Sequence, residues 1–154
     1  MQYRPPTKIR NSLVAGLCGS VVHSTLMAVR NFVGFIPEFQ PNDDVQRVLN
    51  STLGGMSISG VEWAIPFISG ALFVGFVFGK VYPYLPGSNF IDKRIFFGVL
   101  AWLAMGLGFF PLIGDGVFSI GMGLGVKPAM LMFGMLLIYS LTMSFVYDKL
   151  NAFK

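Results

Sequence analysis

The stretch that decides the fold is Lys93-Arg94-Ile95-Phe96-Phe97-Gly98-Val99-Leu100-Ala101-Trp102-Leu103-Ala104-Met105-Gly106-Leu107-Gly108-Phe109-Phe110-Pro111-Leu112-Ile113-Gly114-Asp115-Gly116. No charge interrupts it between Arg94 and Asp115. Hydrocarbon about 30 Å thick takes roughly 20 helical residues to cross, and 93–113 supplies that length. A basic pair opens the run and a Gly-Asp-Gly turn closes it, so it reads as a transmembrane helix.

Working outward, three more segments read the same way. One covers 11–36 and ends at Pro37. Another covers 61–82, bounded by Pro83 and Pro86-Gly87. The last covers 128–148 and opens at Pro128, a favourable first-turn position for proline. The expected fold is all-α, a single domain over 1–154 with four transmembrane helices. Composition agrees, since 54% of the 154 residues are hydrophobic and 12% are charged. A soluble domain carries about 25% charged residues. Cys18 is the sole cysteine, which excludes an internal disulfide or a thiolate metal cage. Residues 1–10 are basic and precede an apolar run, as in a signal peptide. That run continues to Ile36, too long for a signal core, so it is expected to be the first membrane helix.

Charge then orients the bundle. Arg4, Lys8, Arg10, Lys80, Lys93, Arg94, Lys149 and Lys154 share one side, while Arg30, Arg47 and Lys127 fall towards the other with most of the acidic residues. The positive-inside rule places both termini in the cytoplasm, here of a bacterial inner membrane. The net charge of +4 is accounted for by topology and not by nucleic acid, because the basic residues flank apolar runs and form no aromatic-interleaved patch.

The loops on the far side carry their own pattern. Val45, Val48, Leu49 and Leu53 recur at helical spacing among polar neighbours, which predicts a short amphipathic helix over 43–53 at the membrane interface. Residues 117–126 are apolar, glycine-rich and too short to span, so they should lie at the interface or fold back on the bundle. Gly34-Phe35-Ile36-Pro37 resembles Gly108-Phe109-Phe110-Pro111, and Val81-Tyr82-Pro83-Tyr84-Leu85 resembles Val146-Tyr147-Asp148-Lys149-Leu150. These matches raise a parallel repeat of two helical hairpins.

Candidate site residues are few. Ala71, Gly75 and Gly79 form a small-residue stripe on helix 2, and Ser12, Gly16 and Ser20 form another on helix 1. Such stripes let backbones approach closely, either within this chain or against a partner. The bulky last helix, from Met130 to Ile138, is expected to face lipid or an adaptable partner. Arg30 lies inside the outer part of helix 1, where an unpaired charge is costly. Glu62 is its expected ion-pair partner, with Glu38 and Asp115 as alternatives, and anion binding or proton relay is the functional reading. Arg30→Ala is expected to weaken assembly more than any other single charge removal. His23 falls near mid-membrane, either as a neutral, hydrogen-bonded packing residue or as the single axial ligand of a (bacterio)chlorophyll-type pigment. Bis-histidine haem and carboxylate-bridged metal sites are excluded by the residue counts, and no nucleotide or nucleophile motif occurs. Trp102, mid-span, should pack inside the bundle.

The chain also resembles a family of small, functionally uncharacterised four-helix membrane proteins of bacteria and archaea. The resemblance is carried by Leu13-Val14-Ala15-Gly16-Leu17, Gly34-Phe35-Ile36-Pro37-Glu38, Ile68-Ser69-Gly70 with Gly75, and Tyr84-Leu85-Pro86-Gly87. Phe97-Gly98-Val99-Leu100-Ala101-Trp102-Leu103 and Pro111-Leu112 followed by Gly114-Asp115-Gly116 add to it. It implies the fold and no activity. Where a histidine looks usual in that family, this chain has Pro66 in helix 2 and Met132 or Gly134 in helix 4, so a metal or haem role does not carry over. The expected function is a non-catalytic accessory subunit of a larger membrane complex, in respiratory or photosynthetic electron transfer. Its expected partners are other transmembrane subunits and membrane lipids, with no catalytic residue and no cofactor of its own. A small oligomeric transporter or channel is the alternative.

Overall fold

The computed structural model describes residues 6–40, 43–44, 47–48, 50–51, 70–86 and 90–152, and every regular element among them is helical. Helix α1 runs Pro6–Val33. A π turn, Gly70–Val74, leads into α2, Gly75–Val81, which leaves through a 3-10 turn, Tyr82–Tyr84. Helix α3, Phe90–Ala104, continues through a second π turn, Met105–Phe109, into the short α4, Phe110–Ile113. A 3-10 turn, Val117–Met122, precedes α5, Lys127–Ala152.

Among the described residues, three helical stretches are long and apolar enough to cross a membrane: Ile9–Val33, Ile91–Ile113 and Lys127–Ala152. Ala71–Tyr84 is a shorter apolar helix. Of the expected span 61–82, residues 61–69 lie outside the described residues, and Glu62 with them. In the expected interfacial helix, Asp43, Asp44, Arg47, Val48, Asn50 and Ser51 are helical and the other positions lie outside the described residues.

Glycine, not proline, ends the first helix. Gly34 takes φ +71°, its N–H donates to Asn31 O (3.2 Å), and Phe35 N–H donates to Arg30 O (3.2 Å). This pair of bonds is a Schellman cap, which a left-handed residue closes without steric penalty only when it lacks Cβ. Helix α1 therefore stops at Val33, ahead of Pro37. The same cap recurs at Gly114 (φ +93°), with Gly114 N–H donating to Pro111 O and Asp115 N–H to Phe110 O.

Pro111 lies within a helix that nevertheless continues. Its ring excludes a normal i−4 carbonyl contact and it has no N–H to donate. The π turn just before it absorbs the misfit, with Phe110 N–H reaching back five residues to Met105 O. The two members of the first sequence match thus differ in structure. Gly34-Phe35-Ile36-Pro37 follows a helix end, whereas Gly108-Phe109-Phe110-Pro111 lies inside one. In the second match, Tyr82 starts a 3-10 turn while Tyr147 stays in α5.

Helix α5 is the hub. Both α1 and α3 pack along it, and α2 packs on α1. Asn11 Nδ2 donates to Leu150 O (3.2 Å) and Asn151 Oδ1 (3.1 Å), so α1 starts where α5 finishes and the two run antiparallel. The expectation that this bulky helix would face outward, to lipid or a partner, holds for one face only. Met132, Leu136, Tyr139, Ser140, Met143, Ser144 and Tyr147 form a buried stripe, while Met130, Ile138, Leu141 and Phe145 point outward. Ser140 and Ser144, both 0% exposed, make the difference. The small side chain of Ser140 admits α3, where a Cβ on Gly98 would lie 3.4 Å from Ser140 Cβ. Near the α1 start, the rings of Phe78, Tyr82, Phe97 and Tyr147 pack with centroids 4.6–5.5 Å apart, mostly edge to face. At the opposite end Met27, Phe39, Phe110 and Met132 form a second core.

The 117–126 loop folds back. Phe118 and Ser119 both take left-handed backbone (φ +53° and +59°), which turns the Phe118 ring onto Trp102 at 4.7 Å and over the bare Cα of Gly106. Trp102 packs in the bundle, donating from Nε1 to Ala129 O (2.9 Å).

Candidate functional site

Among the described residues, polar and small side chains form five arrangements. The helix seam is the tightest. A Cβ on Gly16 would meet the Ala71 carbonyl oxygen and lie 2.9 Å from Gly75 Cα, and one on Gly75 would lie 2.8 Å from Ser12 O. A Cβ on Gly79 would meet the Ser12 side chain, 2.8 Å from its Cβ. The two stripes therefore face each other within this chain. Ser20, buried, lies instead beside the Tyr139 hydroxyl on the α5 side.

Arg30 is 5% exposed and held by neutral acceptors. Its Nη1 donates to Phe39 O (2.6 Å), Nη2 to Gln40 Oε1 (3.3 Å), and Nε and Nη2 both to Asn31 Oδ1. The Phe39 ring lies 5.7 Å from its Cζ, close enough for a cation–π contribution. Neither Glu38 nor Asp115 forms an ion pair with it among the described residues. The guanidinium thus pins the loop after α1 back onto the helix.

His23 presents its ring edge to Tyr139 at a centroid distance of 6.3 Å. Its Nδ1 is buried with no hydrogen-bond partner among the described residues. Among the described residues, no group of three His, Cys, Asp or Glu is placed to hold a metal ion.

Sequence reasoning missed the tie at the α1-start end. Arg94 Nη2 donates to Asp148 Oδ2 (2.9 Å), and the Tyr82 hydroxyl lies 3.3 Å from both Asp148 oxygens. Ser140 Oγ donates to Arg94 O. One carboxylate so joins the end of α2, the start of α3 and the end of α5. The available signal was that Asp148 is the sole acid near the end of the last span, beside a basic loop. Asp148→Asn keeps an acceptor for Tyr82 but loses the charge, and should cost about 1 kcal/mol for this partly exposed pair. In thermal melts, the loss should be non-additive with Arg94→Gln; strict additivity would show that the pair is not coupled.

Asp115, just past the Gly114 cap, is buried, and its Oδ2 has no hydrogen-bond partner among the described residues. Burial, reinforced by the nearby Asp44 carboxylate and opposed by Arg47, pushes its carboxyl above the usual carboxylate range. Asp44 is itself bridged to Arg47. A carboxyl raised in the folded state stabilises the fold while protonated and loses that contribution as pH rises through its folded value. Asp115→Asn should therefore melt higher than the wild type near pH 7, and the gap should close towards about pH 4. Parallel melting profiles across that range would contradict this.

No curated protein matches the chain, and no solved structure matches it. The sequence profile of DUF6789, a family of unknown function, matches residues 6–153, and the chain belongs to that family.

Proposed function

We propose that this chain is a non-catalytic accessory subunit of a larger integral membrane complex, one that carries out respiratory or photosynthetic electron transfer. The supporting observation is where its polar groups are directed. Arg30 binds the loop that follows its own helix, and Arg94, Asp148 and Tyr82 bind three helices together. These are assembly contacts. Apolar side chains such as Val21, Leu100, Leu107 and Phe145 are exposed along the spanning helices and offer surface to lipid or to neighbouring transmembrane subunits. In this reading 61–82 is a fourth span, and the eight basic residues on one side hold both termini in the cytoplasm of a bacterial inner membrane.

Gentle extraction from native membranes, a native gel, and mass spectrometry of the co-migrating band test the proposal. The expected result is migration with redox-active membrane subunits. Migration at the chain's own 16.9 kDa plus detergent, with nothing attached, would overturn it.

A small oligomeric transporter or channel is the second reading. It is favoured by the π turns that lead into α2 and out of α3, a distortion common at functional positions, and by the His23 Nδ1, which has no hydrogen-bond partner among the described residues. Flux in proteoliposomes containing this protein alone would select it.

A further inference from the structure

Because α1 and α5 pack antiparallel, the end of α1 and the start of α5 meet at one membrane boundary. Between them lies a cleft of about 530 Å³ lined by Gly34, Phe35, Ile36, Glu38, Leu124 and Lys127. That volume is within the roughly 300–1,000 Å³ usual for small-molecule sites. Ile36 and Leu124 give it an apolar wall, with Phe35, 56% exposed, at its edge. Ile36 holds this position in left-handed backbone (φ +51°), which is costly for a β-branched residue. Glu38 and Lys127 line the same cleft and are both exposed, yet they form no ion pair with each other. Two opposite charges held apart on an apolar wall match a zwitterion better than a simple anion or cation. On the membrane side, Phe32 (95% exposed) and Val33 (71%) continue the apolar surface along which acyl chains can lie.

We propose that this cleft binds the headgroup of a phosphatidylethanolamine molecule from the adjoining leaflet, with its phosphate on Lys127 and its ammonium on Glu38. A primary ammonium donates charge-assisted hydrogen bonds to a carboxylate, which a quaternary choline cannot do. Choline is recognised by a cage of aromatic rings, and Phe35 is the one ring among the described residues that line this cleft. Phosphatidylglycerol offers Lys127 a phosphate but gives Glu38 no cation. The inference does not depend on the accessory-subunit proposal.

The test uses the full chain, purified and delipidated in detergent, then exposed to mixed micelles containing phosphatidylethanolamine, phosphatidylcholine or phosphatidylglycerol. Native mass spectrometry reads the retained lipid. The wild type should retain phosphatidylethanolamine about tenfold better than either of the others, a preference of ~1.4 kcal/mol. Glu38→Gln should abolish the preference over phosphatidylglycerol, and Lys127→Gln should weaken retention of all three. Both variants change exposed side chains and should melt like the wild type without lipid. Equal retention of the three lipids by the wild type, or an unchanged preference in Glu38→Gln, would overturn the proposal.

Discussion

Gly16→Leu should separate α1 from α2. A side chain at this position is opposed by the Ala71 carbonyl and the Gly75 Cα, both backbone atoms that no rotamer change can move aside. Overpacking in a tight core costs about 1–3 kcal/mol, and a rigid obstacle places this substitution at or above the top of that range. Without the seam, α2 keeps its ring contacts near the α1 start but loses its close approach to α1. The variant should melt well below the wild type in detergent, and amides of 75–81 should exchange faster with deuterium. Gly134→Ala is the control, because nothing lies within 4 Å of a Cβ there. Melting of Gly16→Leu within about 0.5 kcal/mol of the wild type would mean that the seam is not close-packed.

Arg30→Ala should have the next largest effect and the largest of any single charge removal. The substitution deletes the donors that hold Phe39 O, Gln40 Oε1 and Asn31 Oδ1. Hydrogen bonds made by a charged group contribute about 1.5–3 kcal/mol, and a buried carbonyl left unpaired adds its own penalty. Losing the desolvated charge offsets part of this, so a net destabilisation of about 2 kcal/mol is expected. Arg30→Lys should rescue little, because an ammonium is a compact point charge and cannot span three acceptors lying in different directions. Faster exchange at the Phe39 and Gln40 amides should accompany the lower melting temperature. If Arg30→Lys behaves like the wild type, the guanidinium geometry is not what matters.

Most of the fold was legible because hydropathy and length respond to the same physics that places a helix in lipid. The seam was legible too, since Gly16, Ala71 and Gly75 recur at the one spacing that aligns small residues on a helix face. Other features were hidden for identifiable reasons. The Phe39 carbonyl that Arg30 holds could not be singled out, because every residue carries a backbone acceptor; Glu62, its expected partner, lies outside the described residues. The buried face of α5 is marked by Ser140, Ser144, Tyr139 and Tyr147, whose modest polarity is lost among the surrounding methionines and leucines. The Arg94–Asp148 tie joins residues 54 positions apart, and no local pattern announces such a contact. Helix ends were misjudged where proline looked like the terminator and glycine was, as at Gly34 against Pro37.

The hub position of α5 has a consequence for biogenesis. The ribosome makes this segment after α1, α2 and α3, so the spanning helices of α1 and α3 are made before their main scaffold exists. During that interval the faces destined for α5, including Ala15, Gly19 and Gly98, have only lipid or the insertion machinery against them. Compaction of these helices therefore waits for α5 to leave the translocon, and a nascent chain stalled before Lys127 carries an unfinished bundle that quality-control proteases can recognise.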